Sequence, residues 1–218
     1  MNTSFGGEAV GQSSGMAGAY PVSVEFPNLE FRNKFFAVPV LGIVVRAIFL
    51  IPLLIALDIV QYIVGLAMLL TWIPVLFAGA YPGIGRTLYG GYLRWNARVR
   101  SYLFGLQDKY PSFSFDDEIG SGDVTVAFQT NDSPSRLWAI PVVGIVLKGI
   151  VLIPHLIVLA ILSVVCGVLQ LVTWIPVLAT GEYPAWGMTW VGGYIRWTIR
   201  VGAYLFGLTD QYPLFSLS

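Results

Sequence analysis

Charge is scarce in this chain of 218 residues: Asp, Glu, Lys and Arg together make up 11% of it, against about 25% in soluble domains. Twelve cations balance twelve anions, so the net charge is zero, and the chain as a whole lacks the basic footprint that nucleic acid requires. The one cysteine, Cys166, excludes a disulfide within the chain and a cysteine metal cluster. The one histidine, His155, argues against a His-built metal site and against a Ser/His/Asp triad. No nucleophile, base or metal set stands out, so the sequence predicts neither catalysis nor a cofactor. The start has no basic segment leading into an apolar core, and Asn2 occupies the place of a myristoylated glycine; neither a cleavable signal peptide nor that acylation is expected.

What the chain has in abundance is apolar surface. The hydrophobic fraction is 56%, and the mean hydropathy is +0.73. This composition predicts an integral membrane protein. Residues 1–19 stand apart, rich in Gly, Ser and Ala, and read as a flexible tail.

The remainder is a tandem duplication. Pro39-Val40-x-Gly42-Ile43-Val44 recurs as Pro141-Val142-x-Gly144-Ile145-Val146, an offset of 141 − 39 = 102. The same offset carries Thr71-Trp72-Ile73-Pro74 onto Thr173-Trp174-Ile175-Pro176. It carries Gly90-Gly91-Tyr92-x-Arg94-Trp95-x-x-Arg98-Val99 onto Gly192-Gly193-Tyr194-x-Arg196-Trp197-x-x-Arg200-Val201. It also carries Tyr102-Leu103-Phe104-Gly105-Leu106-x-Asp108-x-Tyr110-Pro111 onto Tyr204-Leu205-Phe206-Gly207-Leu208-x-Asp210-x-Tyr212-Pro213. No gap is needed, which marks a repeated structural unit. Repeat 1 covers 20–115, repeat 2 covers 122–218, and an acidic, Gly-rich linker at 116–121 joins them.

These motifs resemble the bacterial membrane family catalogued as domain-of-unknown-function family 4389, over nearly all of both repeats. The resemblance implies an integral membrane protein and supplies no activity. Units of that family often carry Ile-Pro-His. Ile153-Pro154-His155 keeps the motif and Ile51-Pro52-Leu53 departs from it, which weighs against a function needing the histidine twice.

Read against a bilayer, each unit opens with a short alternating strand, 22–26 or 124–128, and closes on a second extended stretch, 113–115 or 215–217. The opening and closing strands are expected to pair at the membrane surface. Next, 39–50 and 141–152 read as short interfacial helices, broken at Pro52 and Pro154. The apolar runs 53–78 and 155–180 are each about 39 Å long as helix, enough to cross a core of about 30 Å. After a Tyr-Pro turn, 84–106 and 186–208 form second helices, which either cross the membrane or lie in its interface. The resulting expectation is an all-α membrane protein with short surface β-strands. It has two tandem parallel repeats, each an interfacial helix plus a helical hairpin, and two or four crossings. With Arg32, Lys34, Lys109 and Arg136 on one side, both termini are expected at the cytoplasmic face of the inner membrane.

Several residues invite a role. Arg94 with Arg98, and Arg196 with Arg200, stand four apart on one helix face, suited to lipid phosphates or to ion pairs with Asp108 and Asp210. Arg46 and Lys148 are equivalent cations in apolar runs. Asp58 is an intramembrane carboxylate whose partner is Arg46 only if the chain folds back between them; its equivalent is Ala160. His155 is expected to be a hydrogen-bonded interfacial residue, Cys166 an inert thiol, and the Gly-Gly pairs places of close helix approach. The function expected from all this is a lipid-organising protein or an accessory subunit. Its partners are then membrane lipids, anionic ones among them, other membrane proteins or a second copy, and not nucleic acid. The alternative is a small transporter or channel built from two parallel repeats.

Overall fold

The structure, a computed structural model, describes residues 20–27, 41–79, 82–116, 123–129 and 143–218. The tail at 1–19 and all of the linker but Asp116 lie outside the described residues. The elements are β1 (Val22–Glu25), α1 (Leu41–Ala78), α2 (Gly83–Leu103), β2 (Thr125–Phe128) and α3 (Val143–Thr180). A last helical run comprises α4 (Ala185–Gly187), a π-helical turn (Met188–Gly192) and α5 (Gly193–Leu205).

The long helices end where the apolar runs end, at Ala78 and Thr180, but they begin earlier than expected. α1 and α3 are each 38 residues long and continue through Pro52 and Pro154. The separate interfacial helix therefore does not exist; it is the first part of one continuous helix. A helical proline has no N–H for the carbonyl four residues before it and opens the adjacent turn. In both repeats a side chain enters that opened turn and donates to the next carbonyl along. The Tyr110 hydroxyl donates to the Phe49 carbonyl at 3.0 Å, and the Tyr212 hydroxyl to the Val151 carbonyl at 3.1 Å. Both carbonyls lie three residues before the proline, and such outside donors are what make proline tolerable in an apolar helix.

Each long helix buries one stripe. On α3 it comprises Lys148, Leu152, His155, Leu159, Leu162 and Cys166, at alternating steps of four and three. α2 and α5 pack back against α1 and α3 as antiparallel hairpins and are buried on most faces. Gly105 and Gly207 end α2 and α5 at φ of +71° and +76°. Leu106 N–H donates to the Ser101 carbonyl, and Leu208 N–H to that of Ala203. This is a glycine-terminated cap that a side-chain-bearing residue forms poorly.

The sheet differs from expectation. The closing stretches 113–115 and 215–217 are not strands. Instead the two opening strands pair with each other, antiparallel, with Val24 opposite Val126. These residues are themselves repeat equivalents, since 24 + 102 = 126. A local twofold axis therefore passes between them. Val22, Val24, Val124 and Val126 are buried beneath the ribbon, while Ser23, Glu25, Thr125 and Ala127 face outward. Each strand lies on the other repeat's helix, β1 on α5 and β2 on α2.

The same twofold governs the helices. Tyr92 packs edge-on to Phe206 at 5.9 Å, and its equivalent Tyr194 does the same to Phe104 at 5.9 Å. The end of each inner helix thus meets the middle of the other, so α2 and α5 run antiparallel. With both hairpins antiparallel as well, α1 and α3 point in opposite directions. The expected parallel repeats are corrected accordingly: the pseudo-twofold axis stands across the helices rather than along them.

The Gly-Gly pairs admit this packing, though strand ends and the closing stretches approach them rather than a helix. A Cβ on Gly192 would meet the Phe26 ring at 3.2 Å, and one on Gly90 the Phe128 ring at 3.6 Å. A Cβ on Gly193 would stand 2.5 Å from the Leu217 Cβ and 2.7 Å from its carbonyl oxygen. We therefore expect Gly193→Ala to cost about 1–3 kcal/mol by overpacking. Gly149→Ala, with nothing within 4 Å of the new methyl, should be neutral or stabilise by up to about 1 kcal/mol. Thermal unfolding in detergent, followed by tryptophan fluorescence, distinguishes the two.

Candidate functional site

The polar groups of the interior gather at three kinds of place, each present once per repeat. The first is the cation buried in each long helix. Arg46 donates to Asp108 at 2.5 Å and to the Tyr102 carbonyl at 2.7 Å, in the last turn of α2. Lys148 lies 3.7 Å from Asp210 and donates to the Tyr204 carbonyl at 3.1 Å. A cation at a helix C-terminus also meets the negative end of the helix dipole. Asp108 and Asp210 thus partner Arg46 and Lys148. Asp58 is no partner of Arg46 either: twelve residues of unbroken helix hold them about 18 Å apart. Asp58 is exposed on α1.

The second place is the bracket formed by the paired arginines. Arg94 donates through Nε to the Val126 carbonyl of β2 at 3.1 Å, and Arg196 to the Val24 carbonyl of β1 at 3.2 Å. Each guanidinium stacks over the phenyl ring at the end of the strand it holds, Phe128 at 5.0 Å and Phe26 at 4.9 Å. The second arginine of each pair secures the closing stretch. Arg98 donates to the carbonyls of Ser114 and Asp116 at 3.0 and 3.3 Å. Arg200 donates to those of Ser216, at 3.4 Å, and Ser218. The i, i+4 spacing does put both guanidinium groups on one face, and that face meets protein backbone. Arg98 is 1% exposed and Arg200 8%. Burial lowers the Arg200 pKa, and the neighbouring Arg196 adds to this. Tyr20, beneath Arg200, keeps its proton because burial raises its pKa, and its hydroxyl donates to the Gln211 carbonyl.

The third place distinguishes the repeats. His155 is fully buried, stacked on Phe215 at 3.8 Å, and its Nδ1 accepts from the Trp197 indole at 2.9 Å. With Nδ1 accepting, Nε2 carries the proton in the neutral ring, and that N–H is buried without a partner. In repeat 1 the histidine's place is taken by Leu53, which offers no acceptor, and the equivalent indole nitrogen of Trp95 is buried without a partner. Cys166 is buried, with Sγ 3.7 Å from the Trp190 carbonyl.

Some residues that matter here did not stand out in the sequence. Tyr110 and Tyr212 bridge the prolines. Tyr183 donates to the Phe104 carbonyl at 3.3 Å, joining the repeats. Arg100 donates to the Tyr194 hydroxyl at 3.0 Å, also across the repeats. For Tyr110 and Tyr212 the signal available was the recurrence of Asp-x-Tyr-Pro, which gives a reason to look and no contact. Among the described residues, no group of three or more His, Cys, Asp or Glu side chains converges as a metal site would require.

Three substitutions probe these places. Leu53→His supplies the acceptor missing beside Trp95 but brings an Nε2–H that is unpaired at the equivalent His155, so we expect a change within about 1 kcal/mol, whereas His155→Leu, which strands the Trp197 indole, costs about 1–3 kcal/mol. Asp108→Ala strands a buried cation and should cost about 3–5 kcal/mol. Unfolding midpoints of the purified variants check all three.

The comparisons with known proteins agree with the duplication. Nothing among the curated proteins, and nothing among the solved structures, matches the chain. The profile described as a domain of unknown function (DUF4389) matches twice, at residues 41–114 and 143–216, each match spanning a long helix, the helix that packs back on it, and the stretch that follows. The chain belongs to the DUF4389 family, as a tandem duplication of its domain.

Proposed function

We propose that this protein is a non-catalytic component of the bacterial inner membrane, which organises the lipid around it or serves as an accessory subunit of a membrane complex. The observation that carries this reading is the apolar surface of α1 and α3. Both helices are long and apolar enough to span a membrane. Outside the buried stripe they expose side chains such as Ile59, Leu66, Phe77, Ile161, Val164 and Val168, each at least half accessible. Burying an apolar side chain is worth about 1.5–3 kcal/mol, so an array of this size calls for acyl chains or partner helices as its surroundings.

The polar groups support the same reading from the opposite side. Arg94, Arg98, Arg196 and Arg200 donate to backbone within the protein, and Arg46 and Lys148 to carboxylates and helix ends. The binding of anionic headgroups then falls to surface cations such as Lys109, which is half exposed and also ion-paired with the buried Asp123 carboxylate at 2.7 Å. Arg32, Lys34 and Arg136 lie outside the described residues; as positive charges in the sequence beside the apolar runs they favour the cytoplasmic face. A transporter with a pathway between the repeats has less support. Its route would follow the pseudo-twofold axis, where Leu93 fits against Gly202, and Tyr89 stacks on Phe206 at 5.4 Å.

Extraction in mild detergent followed by native mass spectrometry tests the proposal. We expect a particle that carries bound phospholipid or a defined partner protein. A lipid-free, partnerless particle contradicts it.

A further inference from the structure

We infer that the protein lies along the membrane within the cytoplasmic leaflet. Its pseudo-twofold axis then follows the membrane normal, and α1 and α3 run lengthwise among the acyl chains of that leaflet instead of crossing the bilayer. This rests on the membrane reading above and specifies its geometry.

The twofold converts contacts between repeats into statements about height along the axis, because equivalent residues share one height. The ring of Phe104 lies 5.9 Å from that of Tyr194, the equivalent of Tyr92. Residues 92 and 104 of one chain segment are therefore nearly level, although twelve residues, about 18 Å of helix, separate them. α2 thus runs across the axis. The long helices obey the same test. A Cβ on Gly105 would lie 3.3 Å from Arg46 Nη1 and 3.3 Å from Gln170 Nε2, so those two groups are within 3.3 + 3.3 = 6.6 Å of each other. Gln170 is the equivalent of Met68. The heights of residues 46 and 68 therefore differ by at most that separation plus the reach of the two side chains, while about 33 Å of helix runs between them.

Two orientations remain for such a molecule. If α1 and α3 cross the bilayer, the axis lies in the membrane plane, and the β1–β2 ribbon that straddles the axis sits at mid-depth. Its outward face carries Ser23, Glu25 and Thr125, all exposed. An acidic side chain at the centre of the bilayer costs at least about 2.5–3.5 kcal/mol. An open two-stranded ribbon facing lipid is not a structure that bilayers accommodate. If instead the axis is the membrane normal, the outer face of the ribbon meets water, and α1 and α3 fill one leaflet. A helix about 10 Å thick fits half of a core of about 30 Å. Length agrees too: 38 residues make about 57 Å of helix, nearly twice what a crossing needs and unconstrained along the plane. The molecule as a whole is then amphipathic, with polar ribbon and inner helices above and apolar outer helices below, as surface-embedded helices are individually.

Single cysteines in a full-length Cys166→Ala background test the orientation. The exposed sites Thr87 and Thr189 mark the starts of the two inner helical runs, and the exposed sites Lys109 and Gln211, just past Gly105 and Gly207, mark their far ends. Each variant is treated with a membrane-impermeant maleimide in intact cells and in inverted vesicles. We expect all four cysteines to react from the cytoplasmic side alone. Thr87→Cys and Gln211→Cys on one side, with Lys109→Cys and Thr189→Cys on the other, means antiparallel crossing. Thr87→Cys and Thr189→Cys opposite Lys109→Cys and Gln211→Cys means parallel crossing. Either pattern overturns the inference, and reaction of all four from outside overturns the choice of leaflet. Release of the wild-type chain from membranes by an alkaline wash overturns the membrane reading itself, an outcome separate from any labelling pattern.

Discussion

The arginine side chains of α2 and α5 hold the structure together by donating to backbone carbonyls of strands that belong to the other repeat. A two-stranded ribbon is marginal by itself. Here each strand gains a guanidinium on a carbonyl, with an aromatic ring stacked beneath it, at Arg94 with Val126 and Phe128 and at Arg196 with Val24 and Phe26. A guanidinium suits this task because its planar fork serves several acceptors and remains charged when partly buried. The second arginine of each pair then fixes the closing stretch on the same helix face.

From that bracket the symmetry follows. Each strand is exchanged onto the other repeat, so neither hairpin is completed by its own opening segment. Exchange of identical elements between protomers is a known route to dimers, and here a single chain contains both partners. The Gly-Gly pairs admit Phe26 and Phe128 and the two closing stretches. The tyrosines of Asp-x-Tyr-Pro bridge the helical prolines, and the aspartates of the same motif hold the buried cations. A motif that looks like a loop signature is therefore where each hairpin is tied closed. Duplication also gave the two copies freedom to differ. His155 completes the Trp197 indole, while Leu53 leaves Trp95 without an acceptor.

Much of this could be read from the sequence because the repeat is free of gaps. The offset identified every equivalent pair, the opening strands are within two residues of their expected bounds, and the long helices end where the apolar runs do. What the sequence lacked was information about distance. Nothing local to Val24 indicates that it pairs with Val126 rather than with Phe115, since alternation specifies a strand and not its partner. Pro52 and Pro154 suggested breaks because the donor that enters the opened turn lies 58 residues further on, at Tyr110 and Tyr212. Asp58 drew attention as a carboxylate in an apolar run, yet Arg46 had a nearer partner in Asp108 once the hairpin closed. The direction of one repeat relative to the other follows from packing between aromatic residues about 100 positions apart, which no periodicity reports.

Strand exchange across the pseudo-twofold is the claim on which the rest depends, and a cross-strand disulfide tests it most directly. Ser23 and Ala127 are register partners on the outward face of the ribbon. In a Cys166→Ala background, the double substitution Ser23→Cys with Ala127→Cys should oxidise within one chain. Both thiols are then protected from a maleimide mass tag, at monomer mass, until reductant is added. Two freely tagged thiols after oxidation, or a disulfide found only between chains, contradicts the exchanged ribbon and with it the twofold built upon it.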